Sequence, residues 1–316
     1  MELIKTMKME RFILHLALLL CFLQSSRAMK PQQPSQTLSI KDSKTDMRVH
    51  LIGSMHYNPY SISKTEQIIA GYGDNDELGS VMIESCAKRW TRTLDKQPQG
   101  SFLRTFLDNE MQAAAEIGAK YENVALLLGD QEIEVTNSRM KESFIQSLKD
   151  VINPSRWSSL SEDLKRGYTH AVNPANPSEE PGKYLGAKDF LDINLLLNAP
   201  LSLLRYPLAI VFKSPVVGAL LIGTVLASSV GADGGVADTS LTTDYLDLLG
   251  GLLGSVLEVV LLGRTFLIAL LLERNVVIVD NIRAECERAK KAGEDKVCVV
   301  VLGMAHLNGV SKLLSE

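Results

Sequence analysis

The residues in this chain best suited to chemistry sit in two copies of one short pattern. Near the start, Arg48-Val49-His50-Leu51-Ile52 runs into Gly53-Ser54-Met55-His56; near the end, Val297 to Leu302 runs into Gly303-Met304-Ala305-His306. Each copy is an apolar run of strand length, then a glycine, two residues and a histidine. Short apolar runs bounded by glycine read as buried strands. The glycine lets the backbone turn as the strand ends, which puts the histidine on the carboxyl rim of a sheet, where open α/β folds bind ligands. Imidazoles there suit a divalent metal. The plainer alternative for each is a hydrogen-bonded structural histidine.

Two more strand ends finish in carboxylates. Val81-Met82-Ile83 leads to Glu84, and Val124 to Leu128 leads to Gly129-Asp130. Carboxylates are depleted in strand interiors and costly to bury unpaired, so both belong on the rim. Together with His56 and His306 they form a nitrogen and oxygen donor set for a divalent metal ion. The alternatives are an ion pair from Glu84 to Lys88 or Arg89, and a turn or helix-capping role for Asp130.

Strands alternating with helices must position these groups, which predicts an α/β fold: a central, mainly parallel sheet flanked by helices. Helices are expected around Ser63 to Ala70, Phe102 to Lys120, Ser138 to Val151 and Lys188 to Leu204, and a charged helix following Glu273-Arg274 through Ala292. The polar, proline-bearing stretch from Asn153 to Pro181 reads as loop-rich, with His170 an ordinary surface histidine.

The chain has 316 residues and a formal charge of −4 without a basic stripe, so no nucleic-acid partner is expected. Residues 1–28 read as a secretory signal peptide: Lys5, Lys8 and Arg11 precede an apolar run, and Ser26-Arg27-Ala28 supplies a cleavage site. An uncleaved anchor is the alternative. Residues 29–45, rich in Pro, Gln, Ser and Lys, read as a flexible linker, and 46–316 as the α/β domain. Beyond Cys21, Cys86, Cys286 and Cys298 form neither a disulfide framework nor a zinc ribbon.

An apolar helical insertion is expected at about 190–272, before the last helix and strand. Within it, Ser214 to Ala232 carries no charge, and Leu248 to Leu272 is broken only by Glu258 and Arg264. Gly250 and Gly254 suit close helix packing. A membrane hairpin is one reading; helices buried in the domain or at a homodimer interface are the other. Localisation to the secretory pathway or a membrane follows, with an organelle membrane as the alternative.

Taken in order, several segments resemble the TraB/PrgY/GumN family. They are Gly53-Ser-Met-His56 with Ser61 and Ser63, Met82-Ile-Glu84 with Arg89, and Glu110-Met111 with Ala114. Gly129-Asp130, Thr136-x-x-Arg139, Glu273-Arg274 and Gly303-Met-Ala-His306-Leu-x-Gly309 complete the set. The family is similar in fold to erythromycin esterase/ChaN-like proteins. Its Tiki branch consists of membrane-tethered metalloproteases with paired GxxH motifs and a glutamate. The resemblance implies His56, Glu84 and His306 as metal ligands. Gln131, Asn275 and Ser85 depart from the family pattern, at positions that often hold Arg, Asp and an apolar residue.

Two functions are thus expected to compete. One is a metal-dependent, peptidase-like hydrolase with a peptide or protein substrate, in which Glu110, Asp130 or Glu273 acts as general base and Arg139 or Arg274 steadies a carboxylate or oxyanion. Structural salt bridges are the alternative for the two arginines. The other is a non-catalytic, membrane-associated regulator that binds a peptide or protein signal.

Overall fold

The computed structural model describes residues 36–171, 183–213 and 260–316. Its centre is a five-stranded sheet in the order β1-β2-β5-β3-β4. The strands are β1 (Thr37–Lys41), β2 (Arg48–Ser54), β3 (Leu78–Ile83), β4 (Ala125–Leu128) and β5 (Val297–Gly303). β1 runs antiparallel to β2, and the remaining neighbours are parallel.

Alternation along the inner strands divides the core into two layers. Cys298, Val300 and Leu302 of β5, with Leu51 and Met82, pack against helices α9 (Glu273–Lys291) and α10 (Met304–Ser315). Val297, Val299 and Val301, with Ile52, Val81 and Ile83, face α1 (Pro59–Asp74) and α4 (Glu110–Gly118). Both faces of β2, β3 and β5 are buried, so these strands read as continuous apolar runs.

The other described helices are α2 (Ala87–Lys96), α3 (Phe102–Phe106), α5 (Ile133–Val151), α6 (Trp157–Ala171), α7 (Ala187–Phe190) and α8 (Ile193–Lys213). Several expectations need correction here. The supposed linker does not extend to residue 45: Leu38 is buried and β1 pairs with β2 from Thr37↔Ile52 to Lys41↔Arg48. The domain therefore begins before residue 46. A short alternating strand is hidden there by the polar composition around it.

The single helix expected from Phe102 to Lys120 is two. Leu107 closes α3, and the Asn109 side chain accepts from the Gln112 N–H at 3.0 Å to start α4. That cap satisfies a free helix-end donor and ends the run of helical dihedrals. The stretch read as loop-rich contains α6, capped by a 3₁₀ turn at Pro154–Arg156.

Of the apolar insertion, the segment Ser214 to Ala232 and the part of Leu248 to Leu272 before residue 260 lie outside the described residues, as does the signal segment. Arg264 is held inside the protein by Asp150 of α5 at 2.7 Å and Asp163 of α6 at 2.6 Å. Phe266–Leu272 forms a π-helical stretch that runs directly into α9. Among the described residues, no helix is long and apolar enough to cross a membrane.

Candidate functional site

Four parallel strands end on one rim, and the groups expected from the sequence project from their ends. His56 follows β2, Glu84 follows β3, Asp130 follows β4, and His306 lies in the first turn of α10, directly after β5. The structure brings His56, Glu84 and His306 together. The His306 Nε2 lies 3.4 Å from Glu84 Oε1. A methyl group built on Gly303 would stand 3.2 Å from both Glu84 Oε2 and His56 Nε2.

Each imidazole is oriented by a buried acceptor behind it. His56 Nδ1 meets Glu110 Oε1 at 2.5 Å, and Glu110 also accepts from Ser54 Oγ and the Tyr57 N–H, both at 3.1 Å. Glu110 sits in the first turn of α4, where the helix dipole favours a negative charge. His306 Nδ1 meets Asn275 Oδ1 at 2.6 Å. His306 thus turns Nε2 to Glu84 and His56 turns Nε2 to the space over Gly303 that Glu84 also borders, the arrangement by which a second layer of groups fixes tautomer and ring orientation.

Glu84 is held from three sides. Its Oε2 accepts from the Gly303 N–H at 2.6 Å, at the N-terminus of α10, and its Oε1 takes Arg274 as well as His306. Burial opposes its ionisation, but His306, Arg274 and His56 outweigh that and hold its carboxyl well below the usual range. Burial likewise disfavours charge on His56, yet Glu110 and Glu84 push its pKa up to about 9. Glu110 is lowered despite burial, chiefly by the His56 charge. The His56 side chain remains 36 % exposed, so solvent reaches the cluster from its side.

The other expected residues fall into two groups. Arg274 joins the cluster, bridging Glu84 to Asp130 with Nε 2.9 Å from Asp130 Oδ1; Arg89 pairs with Asp130 too. Asp130 is therefore neither a helix cap nor next to the histidines, but the clamp on Arg274. Arg139 and Glu273 pair with each other instead, through bonds of 2.9 and 2.5 Å, and neither makes a contact with the two histidines. Lys88, offered as a partner for Glu84, pairs with Glu134.

Sequence reasoning missed the role of Asn275, noted only as a departure from a family pattern, and the α8 residues over the site. Tyr206 stacks on the His56 ring at 6.1 Å with an interplanar angle of 12°. Asn58 ties this helix down by donating to the Leu195 carbonyl at 3.1 Å. Asn275 also borders an open surface pocket that His170 helps to line.

The donor chemistry fits a divalent ion: two imidazole Nε2 atoms and a carboxylate, with acceptors behind both rings. The spacing is that of an ion-paired network. Among the described residues, no three His, Cys, Asp or Glu side chains stand as a group able to hold a metal. Ion binding would therefore compete with Arg274 for Glu84. Comparison with protein-family models and with curated proteins returns no match for this chain.

Proposed function

We propose that the rim cluster is a hydrolytic site of the TraB/PrgY/GumN type, in which His56, Glu84 and His306 hold a divalent metal ion and the substrate is a peptide or protein. The observation that carries this reading is the pair of imidazoles from two separate strand ends, each fixed through Nδ1, with His306 Nε2 against Glu84 and His56 Nε2 beside the same carboxylate over Gly303. A divalent ion in such a site polarises a carbonyl and makes water more acidic. Glu110 and Asn275 fix the direction in which both Nε2 atoms point, and His56, with its pKa pushed up to about 9, gives up its Nε2 proton when it ligates. Arg274, clamped by Asp130, sets the angle of Glu84 and offers a cation to an oxyanion developing beside it. Glu110, Asp130 and Glu273 each have a partner that must be released before they take a proton, which ranks all three below a simple free base.

A second reading, a non-catalytic membrane-associated regulator binding a peptide or protein, is favoured by the saturation of Glu84 with Arg274 and the Gly303 N–H. Membrane attachment, in the secretory pathway or on an organelle, would come through the apolar segments within 214–272 and accompanies either reading. Elemental analysis of the purified protein separates the two. Wild type is expected to carry about one divalent ion per chain, as such three-ligand sites do, and His56→Ala to lose it. A wild-type protein that takes up no zinc, manganese or iron from supplemented buffer would leave the regulator.

A further inference from the structure

Helix α8 is apolar for most of its length, with charge only at Arg205 and Lys213. Buried guanidinium groups are normally paired with carboxylates, since they lose hydration and need compensation. Arg205 departs from this. It is 8 % exposed, and among the described residues it makes no ion pair. Its hydrogen bond is a long one, 3.5 Å from Nη1 to the Tyr57 carbonyl. Burial pushes its pKa down, opposed only by the charge of Asp108, which is itself committed to Arg104. One turn earlier, Ser202 is 3 % exposed and, among the described residues, its buried Oγ has no partner. Positions three apart share a helix face, so two underused donors lie side by side.

Their position is informative. Tyr57 directly follows His56, and Tyr206 directly follows Arg205 and stacks on the His56 ring. The bond to the Tyr57 carbonyl sets the weakly bonded Arg205 guanidinium beside the segment that carries His56. Tyr57, Leu107 and Ala209, with Phe106 and Leu208, form an apolar cluster at the same place.

We infer that Arg205 and Ser202 form an anion pocket of the rim site, and that its substrate is a peptide with a free C-terminal carboxylate on an apolar last residue. The inference rests on the hydrolytic reading of the cluster. A planar guanidinium matches a carboxylate in shape and takes it through two parallel bonds. One cation also balances one negative charge, whereas a phosphate dianion would leave charge uncompensated in a buried place. The Ser202 hydroxyl supplies a further donor, and the last side chain packs on the partly buried edge of the apolar cluster, at Phe106 and Leu208.

The test is isothermal titration of the full chain with N-acetyl-Gly-Gly-Leu, with the same peptide as its C-terminal amide, and with inorganic phosphate. Mass spectrometry of the cell contents reports whether the peptide is cut. The acid is expected to bind about tenfold or more tighter than the amide, the scale of a charged hydrogen bond. Arg205→Met is expected to abolish that preference and Arg205→Lys to keep part of it. The melting temperature of Arg205→Met should not fall, since an unpaired buried charge is removed; a structural arginine would lower it. Acid and amide binding alike, no binding of either, tighter binding of phosphate, or an undiminished preference in Arg205→Met each overturns the inference. Should Arg205→Met not fold, the wild-type comparison and Arg205→Lys decide. Peptide bound with the acid preference yet left uncut would count against hydrolysis and leave the pocket standing.

Discussion

Gly303 has φ −58° and ψ 135°, dihedrals open to any residue. The glycine of the second GxxH segment is therefore not a turn device, as its position after a strand implies. It is needed for space: a methyl group there would press on Glu84 Oε2 and His56 Nε2. Gly53 has the same reason, with Leu307 and the Gln36 carbonyl within about 3 Å of where its methyl would lie. Gly303→Ala should thus damage the site more than the fold. Small overpacking costs about 1–3 kcal/mol, so a modest drop in melting temperature is expected together with loss of the metal ion proposed for the site. Normal metal content in Gly303→Ala would contradict this. The histidines and carboxylates were legible because strand ends announce themselves in sequence. Asn275 and Arg205 were not, because their roles depend on where two distant helices dock.

β1 shows how an element escapes a composition-based reading and still governs behaviour. It pairs with β2 so that Ser39 lies opposite His50. The His50 Nδ1 lies 2.7 Å from Ser39 Oγ and 3.1 Å from the Tyr72 hydroxyl. Burial, aided by the charge on Lys64, pushes its pKa down to about 4 from 6.5. The unfolded chain therefore binds a proton that the folded one refuses. Stability from this group is present above pH 6.5 and is lost as pH falls from 6.5 to 4. The loss is on the order of 3 kcal/mol. Urea unfolding from pH 7 to 4 is expected to show this decline in wild type and to lack most of it in His50→Gln. An identical pH profile for both proteins would assign the acid sensitivity elsewhere. The α4 start at Asn109 escaped for a related reason: a capping side chain interrupts an apolar rhythm that otherwise reads straight through.

For the molecule as a whole, the sheet was readable from its apolar runs, whereas strand order was not, because order depends on crossovers that periodicity does not encode. Membrane attachment belongs to this scale. Leu191, Ile193, Leu197 and Leu203 are each more than half exposed on and beside α8, which leads directly toward the uncharged stretch at Ser214. Carbonate extraction of membranes from cells expressing the chain, on a form whose N-terminus has been sequenced, is expected to leave it in the pellet; full release would rule out a spanning hairpin. Strand order has one more effect, on timing. β5 lies between β2 and β3, yet it follows β4 by way of everything between Leu128 and Val297. A growing chain therefore exposes two inner strand edges whose backbone groups only β5 can satisfy. Such distant pairing is slow, and an open slot invites a strand from another molecule. The strand that closes the slot also delivers His306. The rim cluster thus comes into being in the same step that completes the sheet, and a half-folded chain lacks it.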